Sequence, residues 1–468
     1  MPMVNFFNAA LNVFKNKKAV IFLFFSLFSA GAFFSSIIPP FQSPDEHAHL
    51  KRAYLLSKGR IAMETPKGES TGGYIDTGLI SYMNTYNHIP SSFNNKVTAD
   101  VENRGASIEW TGEEHFSADP AINYYLPFIY LPQTIGLIVG QWADLTVEQS
   151  YYLARYLALS GSIAVILAAF LIARLNVFVV AILAMPLMVF QMVSTSQDGF
   201  AIALLILAIS FFIKLTNINE IRKGTHFYLM TITILLLVTS RINLLPLLLL
   251  PFAAVGLTTK SKYEYAFAVL ITCVAIGWIL YALNTTVDNR VAIGASTKEI
   301  IVYYLQQPLS FLMVLFETLS SKQLLGFYAI SFVGILGWLD TNIGLNYIAI
   351  ILIVLLAVFI ASMSINALKA EAARRSILVV TAVISFLLTF FLLLITWTEH
   401  PALVVSGVQG RYLWGPAILL AYGLTVPFSS LSRIRQLVCV CGVLLIVSIV
   451  AVKVPSVLTE RYYQITAR

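Results

Sequence analysis

Apolar runs of about 20 residues recur along almost the whole chain and are separated by short polar segments. A helix of this length crosses a hydrocarbon core of roughly 30 Å, because each helical residue rises about 1.5 Å. The runs lack the alternation of polar and apolar residues that transmembrane strands require. The pattern therefore predicts an all-α polytopic membrane protein with about eleven transmembrane helices. The predicted spans are residues 19–38, 151–173, 176–195, 199–215, 226–241, 243–258, 263–283, 345–366, 376–397, 412–428 and 436–452.

The same pattern divides the chain into three parts. Residues 1–38 form a cytoplasmic N-terminus and the first span, and residues 39–150 form an extracytoplasmic loop with juxtamembrane helices. Residues 151–468 form a multi-span domain with extracytoplasmic loops near 284–344 and 396–411. The first loop is rich in aromatic residues, which predicts a small ordered cap rather than a linker.

Two apolar stretches lie within these loops and are not assigned as full spans. Residues 119–142 contain Pro127 and Pro132, and they are predicted to form a helix at the outer interface. Residues 308–327 are apolar enough to be a second interfacial helix or a re-entrant pair. The pattern leaves both alternatives open for the second stretch.

Composition agrees with a membrane protein, since 58% of the residues are hydrophobic and 11% are charged, against about 25% charged in a soluble domain. The net charge of +7 could suggest a nucleic-acid partner. The Lys and Arg residues fall mostly in short loops on one side, however, as the positive-inside rule requires. We therefore expect no nucleic acid, a cytoplasmic N-terminus and a C-terminus on the other side.

The segment Ser-Pro-Asp-Glu-His-Ala-His, residues 43–49, follows the first span and is dense in titratable groups. Ser43 is predicted to cap a helix, with Pro44 at the first helical position and Glu46 completing a capping box. This structural role for Glu46 leaves Asp45 as the better candidate for chemistry. The alternative is that the whole segment caps and solvates a surface helix beside the membrane.

Helical spacing places Asp45, His49 and Arg52 on one face of this helix. A carboxylate, an imidazole and a guanidinium could then converge on one substrate.

Two further polar residues lie at predicted exterior ends of spans. Asp198 could bind a substrate hydroxyl or could cap the helix that follows it. Arg241 lies within a strongly apolar region, where an ionisable group is a candidate for function, although it could also extend to a lipid phosphate.

The segment Gly-Val-Gln-Gly-Arg-Tyr, residues 407–412, precedes a predicted span. Backbone amides beside Gln409 and the guanidinium of Arg411 could approach an anion together, and a phosphate is the expected guest. The alternative is a tight turn in which Arg411 anchors the interface.

Several nucleotide-binding and hydrolytic motifs are absent from the sequence. It contains no Walker A loop, no GxGxxG before a helix, no HExxH and no nucleophile elbow. These absences argue against ATP-driven transport and against hydrolysis by a standard triad.

The segments 43–49 and 407–412, taken together, resemble the bacterial membrane family known as DUF2142. More distantly, the plan is similar to that of GT-C glycosyltransferases, in which a large exterior loop opens with an acidic residue. This resemblance implies a protein of the bacterial inner membrane whose active site faces the periplasm.

The resemblance also implies an activity. It predicts an inverting glycosyltransferase that takes a sugar from a polyprenyl-phosphate donor and transfers it to a cell-surface glycan, such as a lipid-linked O-antigen. Asp45 matches the family's acidic residue, and Glu46 is the adjacent contender. No D-x-D pair occurs here, yet the carboxylates and imidazoles of residues 45–49 could hold a divalent metal ion. The implied catalytic residues are Asp45 and Glu46, the implied donor-phosphate ligands are Arg411, Arg241 and Arg52, and the implied substrate contacts are His47, His49, Asp198, Gln409 and Tyr412.

Other function classes remain open from the sequence. A flippase or transporter for lipid-linked glycans would need a polar path across the membrane. A glycan polymerase or ligase is chemically closer to the transferase, and a non-enzymatic membrane scaffold would tolerate conservative replacement of Asp45 and Arg411.

Overall fold

A computed structural model describes residues 16–217, 223–289 and 294–464 of the chain. Residues 1–15 of the predicted cytoplasmic N-terminus lie outside the described residues. The described chain is mostly helical, as predicted, with two additional two-stranded sheets.

The first span is followed by the cap and by the first helices of the bundle. In chain order these elements are α1 (Lys17–Ile37), α2 (Glu46–Ser57), β1 (Gly72–Asp76), α3 (Thr77–Tyr86), α4 (Ala99–Ala106), β2 (Glu114–Ala118), α5 (Leu131–Trp142), α6 (Val147–Ile172), α7 (Val177–Leu183), α8 (Pro186–Met192), α9 (Asp198–Thr216), α10 (Gly224–Val238), α11 (Leu249–Leu257) and α12 (Lys262–Thr285). Short 3-10 turns cover Ile89–Ser91, Pro120–Tyr124, Pro127–Tyr130 and Ile242–Leu248.

The second half begins with three helices where the sequence suggested a long loop. Its elements are α13 (Thr297–Gln306), α14 (Pro308–Ser320), α15 (Lys322–Val333), β3 (Ile335–Leu336), β4 (Thr341–Asn342), α16 (Leu345–Ser362), α17 (Ile365–Ala370), α18 (Ala372–Thr396), α19 (Trp414–Leu424) and α20 (Arg433–Tyr462), with 3-10 turns at Gly410–Leu413 and Phe428–Ser430.

Seven helices of the described chain are long and apolar enough to cross a membrane, and an eighth span results if the bent pair α13 and α14 counts as one. These seven helices are α1, α6, α9, α12, α16, α18 and α20. The protein is therefore polytopic, but the predicted count of eleven spans is wrong.

The four remaining predicted spans, 176–195, 226–241, 243–258 and 412–428, contain only short helices of 7 to 15 residues. Continuous apolarity made them look like full spans. Proline interrupts one of them, because Pro186 begins a new helix within residues 176–195. Pro246 lies in the 3-10 turn Ile242–Leu248, which continues directly into α11. Hydropathy alone does not reveal such breaks.

The bent pair accounts for the apolar stretch in the loop near 284–344. α13 and α14 meet at an angle of 100° where Pro308 starts the second helix. A bend of this kind is that of a broken span or of a re-entrant loop, and the choice between an interfacial helix and a re-entrant pair for residues 308–327 stays a prediction.

The helices run between two ends of the bundle. At the Asp45 end, the backbone N–H of Thr195 reaches the carboxylate of Glu46. At the opposite end, which we call the Arg174 end, Asn176 donates to the hydroxyl of Thr425 at 2.8 Å. α9 runs between these ends and is the most deeply buried of the long helices.

The cap is a folded unit on the Asp45 end. β1 and β2 pair antiparallel, with Tyr74 opposite Phe116. The aromatic residues Tyr82 and Tyr86 are buried and pack edge-to-face at 5.4 Å. The prediction of an ordered cap agrees with this arrangement, since burial of these rings is what a linker could not provide.

The predicted interfacial stretch 119–142 consists of two 3-10 turns and α5. Apolar side chains spaced three or four residues apart along α5 are exposed. They are Leu131, Ile135, Ile138, Val139 and Trp142. This stripe is what an interfacial helix presents to lipid.

Candidate functional site

The candidate site begins with the turn between α1 and α2. The helix begins at Glu46, and Asp45 is its N-cap in a left-handed conformation with φ 62° and no side-chain capping bond. The predicted capping box is only half formed, because Glu46 accepts from the N–H of Ser43 at 3.3 Å whereas the Ser43 hydroxyl donates to Gln191. Pro44 precedes the helix rather than opening it. The left-handed turn places Asp45 just before the helix, so the helical spacing used in the prediction does not extend to it.

Asp45 is accessible. Its side chain is 54% exposed, and its Oδ2 accepts a hydrogen bond from Nη2 of Arg411 at 2.9 Å. Burial alone would raise the pKa of Asp45, but the guanidinium of Arg411 and the nearby His49 bring it below its usual value. Asp45 is therefore a carboxylate at neutral pH.

Arg411 joins Asp45 to a second carboxylate. Its Nη1 lies 3.4 Å from Oδ2 of Asp198, and Asp198 also forms an ion pair with Arg241. The result is a row of alternating charges, Asp45, Arg411, Asp198 and Arg241, which we call the charge row. Arg411 is only 7% exposed, so its positive charge depends on these neighbours.

Asp198 does not cap α9. Gln197 occupies the N-cap position without a side-chain bond, and Asp198 lies in the first turn with its carboxylate on the two arginines. Of the alternatives left open by the sequence, capping is excluded.

A small pocket lies beside the charge row. Its walls combine three charged residues of the row with neighbouring polar and aromatic side chains. They include Asp198, Arg241, Asn243, Arg411, Tyr412 and Trp414. Asn243 also donates to Thr389 at 3.1 Å, which fixes the wall contributed by the turn after Arg241.

Glu46 is fully buried and its carboxylate is occupied by protein donors. Its Oε1 accepts from the hydroxyl of Tyr151 at 2.9 Å and from the N–H of Thr195 at 2.8 Å. The Nε of Arg155 lies 3.5 Å away, with both side chains inaccessible to solvent. This environment suits a structural ion pair better than a catalytic base.

The two histidines point in different directions. His49 is buried and its Nδ1 lies 2.7 Å from the hydroxyl of Tyr130, while His47 stacks on Trp338 with ring centroids 5.5 Å apart. Burial lowers the pKa of His49 to about 3 and also lowers that of His47. Both rings are therefore neutral at physiological pH.

Arg52 lies apart from the charge row. Its guanidinium donates to the carbonyls of Tyr125 and Ile61, at 3.0 and 2.8 Å from Nη2. Burial lowers the pKa of Arg52 to about 10. Arg52 is thus not part of the predicted convergence of Asp45, His49 and Arg52, whereas His49 lies close enough to Asp45 to lower its pKa.

The segment 407–412 places Arg411 by close packing. Gly410 lies against α15, where its N–H donates to the Ser331 hydroxyl at 2.8 Å. That amide is therefore not available to an anion. Gln409 is half-buried, and the ring of Tyr412 lies 5.3 Å from the guanidinium carbon of Arg411.

The residues suggested for a metal ion do not form a site. In the part of the chain that the structure describes, no three His, Cys, Asp or Glu residues are grouped so as to hold a metal. Glu46, His47 and His49 are turned towards separate partners, as described above.

Sequence reasoning missed two residues that shape the site. Arg155 lies within an apolar run, and the rule that singled out Arg241 would also have found it. Its Nη1 donates to the carbonyl of Ile38 at 2.9 Å, which secures the end of α1 next to the site. Trp338 carries no local signal, since only the β3–β4 hairpin brings it to His47.

Comparisons with known proteins give one positive result. The family model described as "Predicted membrane protein (DUF2142)" matches residues 27–421, which is most of the chain and includes both the Asp45 segment and Arg411. No curated protein and no solved structure matches the chain. Because this match covers most of the chain, and because the structure has several helices long enough to span a membrane, the chain belongs to the DUF2142 family of predicted membrane proteins.

Proposed function

We propose that this protein is an inverting glycosyltransferase that uses a polyprenyl-phosphate-linked sugar and modifies a cell-surface glycan at the periplasmic face of the inner membrane. The observation that carries the proposal is the accessible carboxylate of Asp45, held 2.9 Å from the buried guanidinium of Arg411. A base and an anion-binding group are thus adjacent at one end of a membrane bundle. The proposal also rests on the similarity of the chain's overall plan to that of GT-C glycosyltransferases.

The donor phosphate would bind at Arg411 and Arg241. Arginine binds phosphate through paired, charge-assisted hydrogen bonds. Among the described residues, the Nε of Arg411 is buried without a hydrogen-bond partner, so one donor is left for a ligand. Binding of the phosphate would also compete with Asp45 for Arg411 and would release the Asp45 carboxylate.

The released carboxylate would act as the base. An acceptor hydroxyl attacks the anomeric carbon, its proton passes to Asp45, and the bond from that carbon to the phosphate oxygen breaks with its electron pair leaving on the phosphate. Attack opposite the leaving group inverts the anomeric centre. Arg411 and Arg241 stabilise the charge that develops on the phosphate.

The other residues predicted to contact the substrate fall into two groups, those near the charge row or Asp45 and those with buried partners. Asp198, Tyr412 and Gln409 lie at or next to the charge row and could contact the substrate. His47 with Trp338 forms a stacked pair near Asp45 that could bind a sugar ring. Glu46, His49 and Arg52 support the site through their buried contacts.

The test is transfer of a radiolabelled sugar from polyprenyl-phosphate donors to a purified envelope glycan by the full chain in nanodiscs. Asp45→Asn should reduce the rate by on the order of 10²- to 10⁴-fold, because it removes a general base. Asp144→Asn is the matched control, since Asp144 is also exposed with positive φ but has no carboxylate–arginine contact among the described residues. Its rate should be unchanged.

Two results would overturn the proposal. Full transfer by Asp45→Asn would remove Asp45 from the chemistry. No transfer by the unmodified protein with any donor would favour transport of lipid-linked glycans or a scaffold role.

A further inference from the structure

A cavity lies at the Arg174 end, away from the charge row. It has a volume of about 370 Å³, within the range of small-molecule sites. It is a partly open cavity lined by the ends of α6 and α9, the start of α18 and the turn after α19. No part of the proposed transfer reaction uses this cavity.

The charged side chains that line the cavity are mostly cationic. Of those that the structure describes, four are basic and one is acidic: Arg174, Lys214, Arg374, Arg375 and Glu371. Several positive charges that face one cleft attract an anion. The positive-inside rule accounts for basic residues at this end, but it does not account for their convergence on a cavity.

Internal contacts hold part of this basic wall in place. Arg375 is bound to Glu371 at 2.8 Å and donates to the carbonyl of Thr425 at 2.7 Å. Arg374 also pairs with Glu371. Among the described lining residues, the carboxylate of Glu371 is therefore shared by two arginines.

The remaining walls fit a ligand that is only partly polar. Asn176 and Ser430 contribute polar groups, while Ile172, Ile213 and Val426 contribute apolar surface. An ion as small as chloride would leave most of the volume unused. A phosphate group with an organic substituent matches both kinds of wall.

We propose that this cavity is a binding site for a phosphate-bearing anion, supplied by a phospholipid headgroup or by a free phosphorylated molecule. Arg174 and Lys214 provide the charge at its rim, and the Arg374–Arg375 pair provides the fixed inner wall. The site is independent of the charge row and of the proposed transfer reaction.

Binding is tested with the full chain in detergent at constant ionic strength. One arm measures binding of short-chain phosphatidylglycerol against short-chain phosphatidylcholine, which has a phosphate but no net charge. The other arm measures binding of inorganic phosphate and pyrophosphate. Saturable binding of phosphatidylglycerol alone identifies a lipid headgroup as the source, and binding of the free anions identifies a soluble ligand.

Variants then locate the site. The double variant Arg174→Gln with Lys214→Gln should bind the anion with an affinity lower by on the order of tenfold or more, because charge-assisted hydrogen bonds are lost. Lys260→Gln with Lys262→Gln is the matched control, since these lysines lie at the same end but do not line the cavity. Its affinity should equal that of the unmodified protein.

A second variant fills the cavity without changing the charge. Ala367 lines it from the short helix α17, and Ala367→Trp should abolish binding while the protein remains monodisperse. The proposal is overturned if no phosphate-bearing ligand binds the unmodified protein, or if the cavity variants and the lysine control bind equally.

Discussion

At the scale of single residues, two adjacent carboxylates have opposite environments. Asp45 is 54% exposed beside Arg411, whereas Glu46 is fully buried beside Arg155. The left-handed backbone at Asp45 causes this separation, because it turns one side chain out while the helix carries the next one in. Sequence reasoning preferred Asp45 as the proposed base and kept Glu46 as the adjacent contender, and the exposure of Asp45 supports that preference.

Glu46→Gln should therefore destabilise the protein rather than remove a base. It leaves the Arg155 guanidinium buried without a counter-charge, which costs about 3–5 kcal/mol in free energy of unfolding. The measurement is the thermal midpoint in detergent, which should fall clearly below that of the half-buried control Glu148→Gln. An unchanged midpoint with complete loss of sugar transfer would instead give Glu46 a chemical role.

Arg411→Gln should change the pH dependence of transfer. Burial raises the pKa of Asp45 and Arg411 lowers it, so removal of Arg411 raises the pKa. The acidic limb of the kcat/KM profile should then move to higher pH, and the rate at its maximum should fall by on the order of 10²-fold. Arg104→Gln, at an exposed position on α4, should leave the profile in place. An unmoved acidic limb in Arg411→Gln would contradict the assignment of the base.

At the scale of elements, the position of Arg411 depends on a close backbone approach. A Cβ on Gly410 would lie 2.1 Å from the Phe332 nitrogen and 2.4 Å from the Tyr328 carbonyl oxygen, both in the backbone of α15. Only glycine fits at this contact, so the pattern of two glycines in residues 407–412 serves packing at Gly410 rather than anion binding by its amide.

Gly410→Ala should therefore displace the turn that carries Arg411 and reduce transfer strongly. Gly326→Ala is the matched control, because it lies in α15 itself and its Cβ would meet open space. In a helix interior this control should be neutral or more stable by about 0.5–1 kcal/mol. Transfer rate and thermal midpoint are measured for both, and normal transfer by Gly410→Ala would show that Arg411 does not need this contact.

At the scale of the whole molecule, the last helix fastens the cap to the bundle. Arg461, near the end of α20, is buried and pairs with Asp340 at 2.8 Å. The same guanidinium donates to the carbonyls of Ile89 and Asn95 in the cap, at 2.8 and 3.0 Å. One side chain thus connects the C-terminal helix, the β3–β4 hairpin and the cap.

Arg461→Ala should loosen the cap, because it leaves these carbonyls and Asp340 without their donor. Limited proteolysis should then cut near residues 88–97 faster than in the unmodified protein. Arg433→Ala, at the exposed opposite end of the same helix, should have no effect. Equal cleavage of the two variants would mean that the cap is held by its apolar contacts alone.

The sequence by itself determined the class of the molecule and most of the residues at its candidate site. Length and apolarity of the runs are local properties, so they identify the helices and the membrane, and the rule against unpaired charge in apolar regions singled out Arg241. The number of long spans was overestimated, because hydropathy registers neither the new helix that begins at Pro186 nor the short length of helices such as Gly224–Val238 and Ile242–Leu257.

Only the tertiary structure decided how the charges pair. Asp45 and Arg411 are 366 positions apart in the chain, and their contact depends on how α2, α9 and α15 pack against the segment that carries Arg411. The burial of Glu46 with Arg155 and the separation of Arg52 from the charge row have the same origin. Local spacing constrains which residues share a helix face, whereas the partner of each charge is set by long-range packing and by the need to neutralise buried charge.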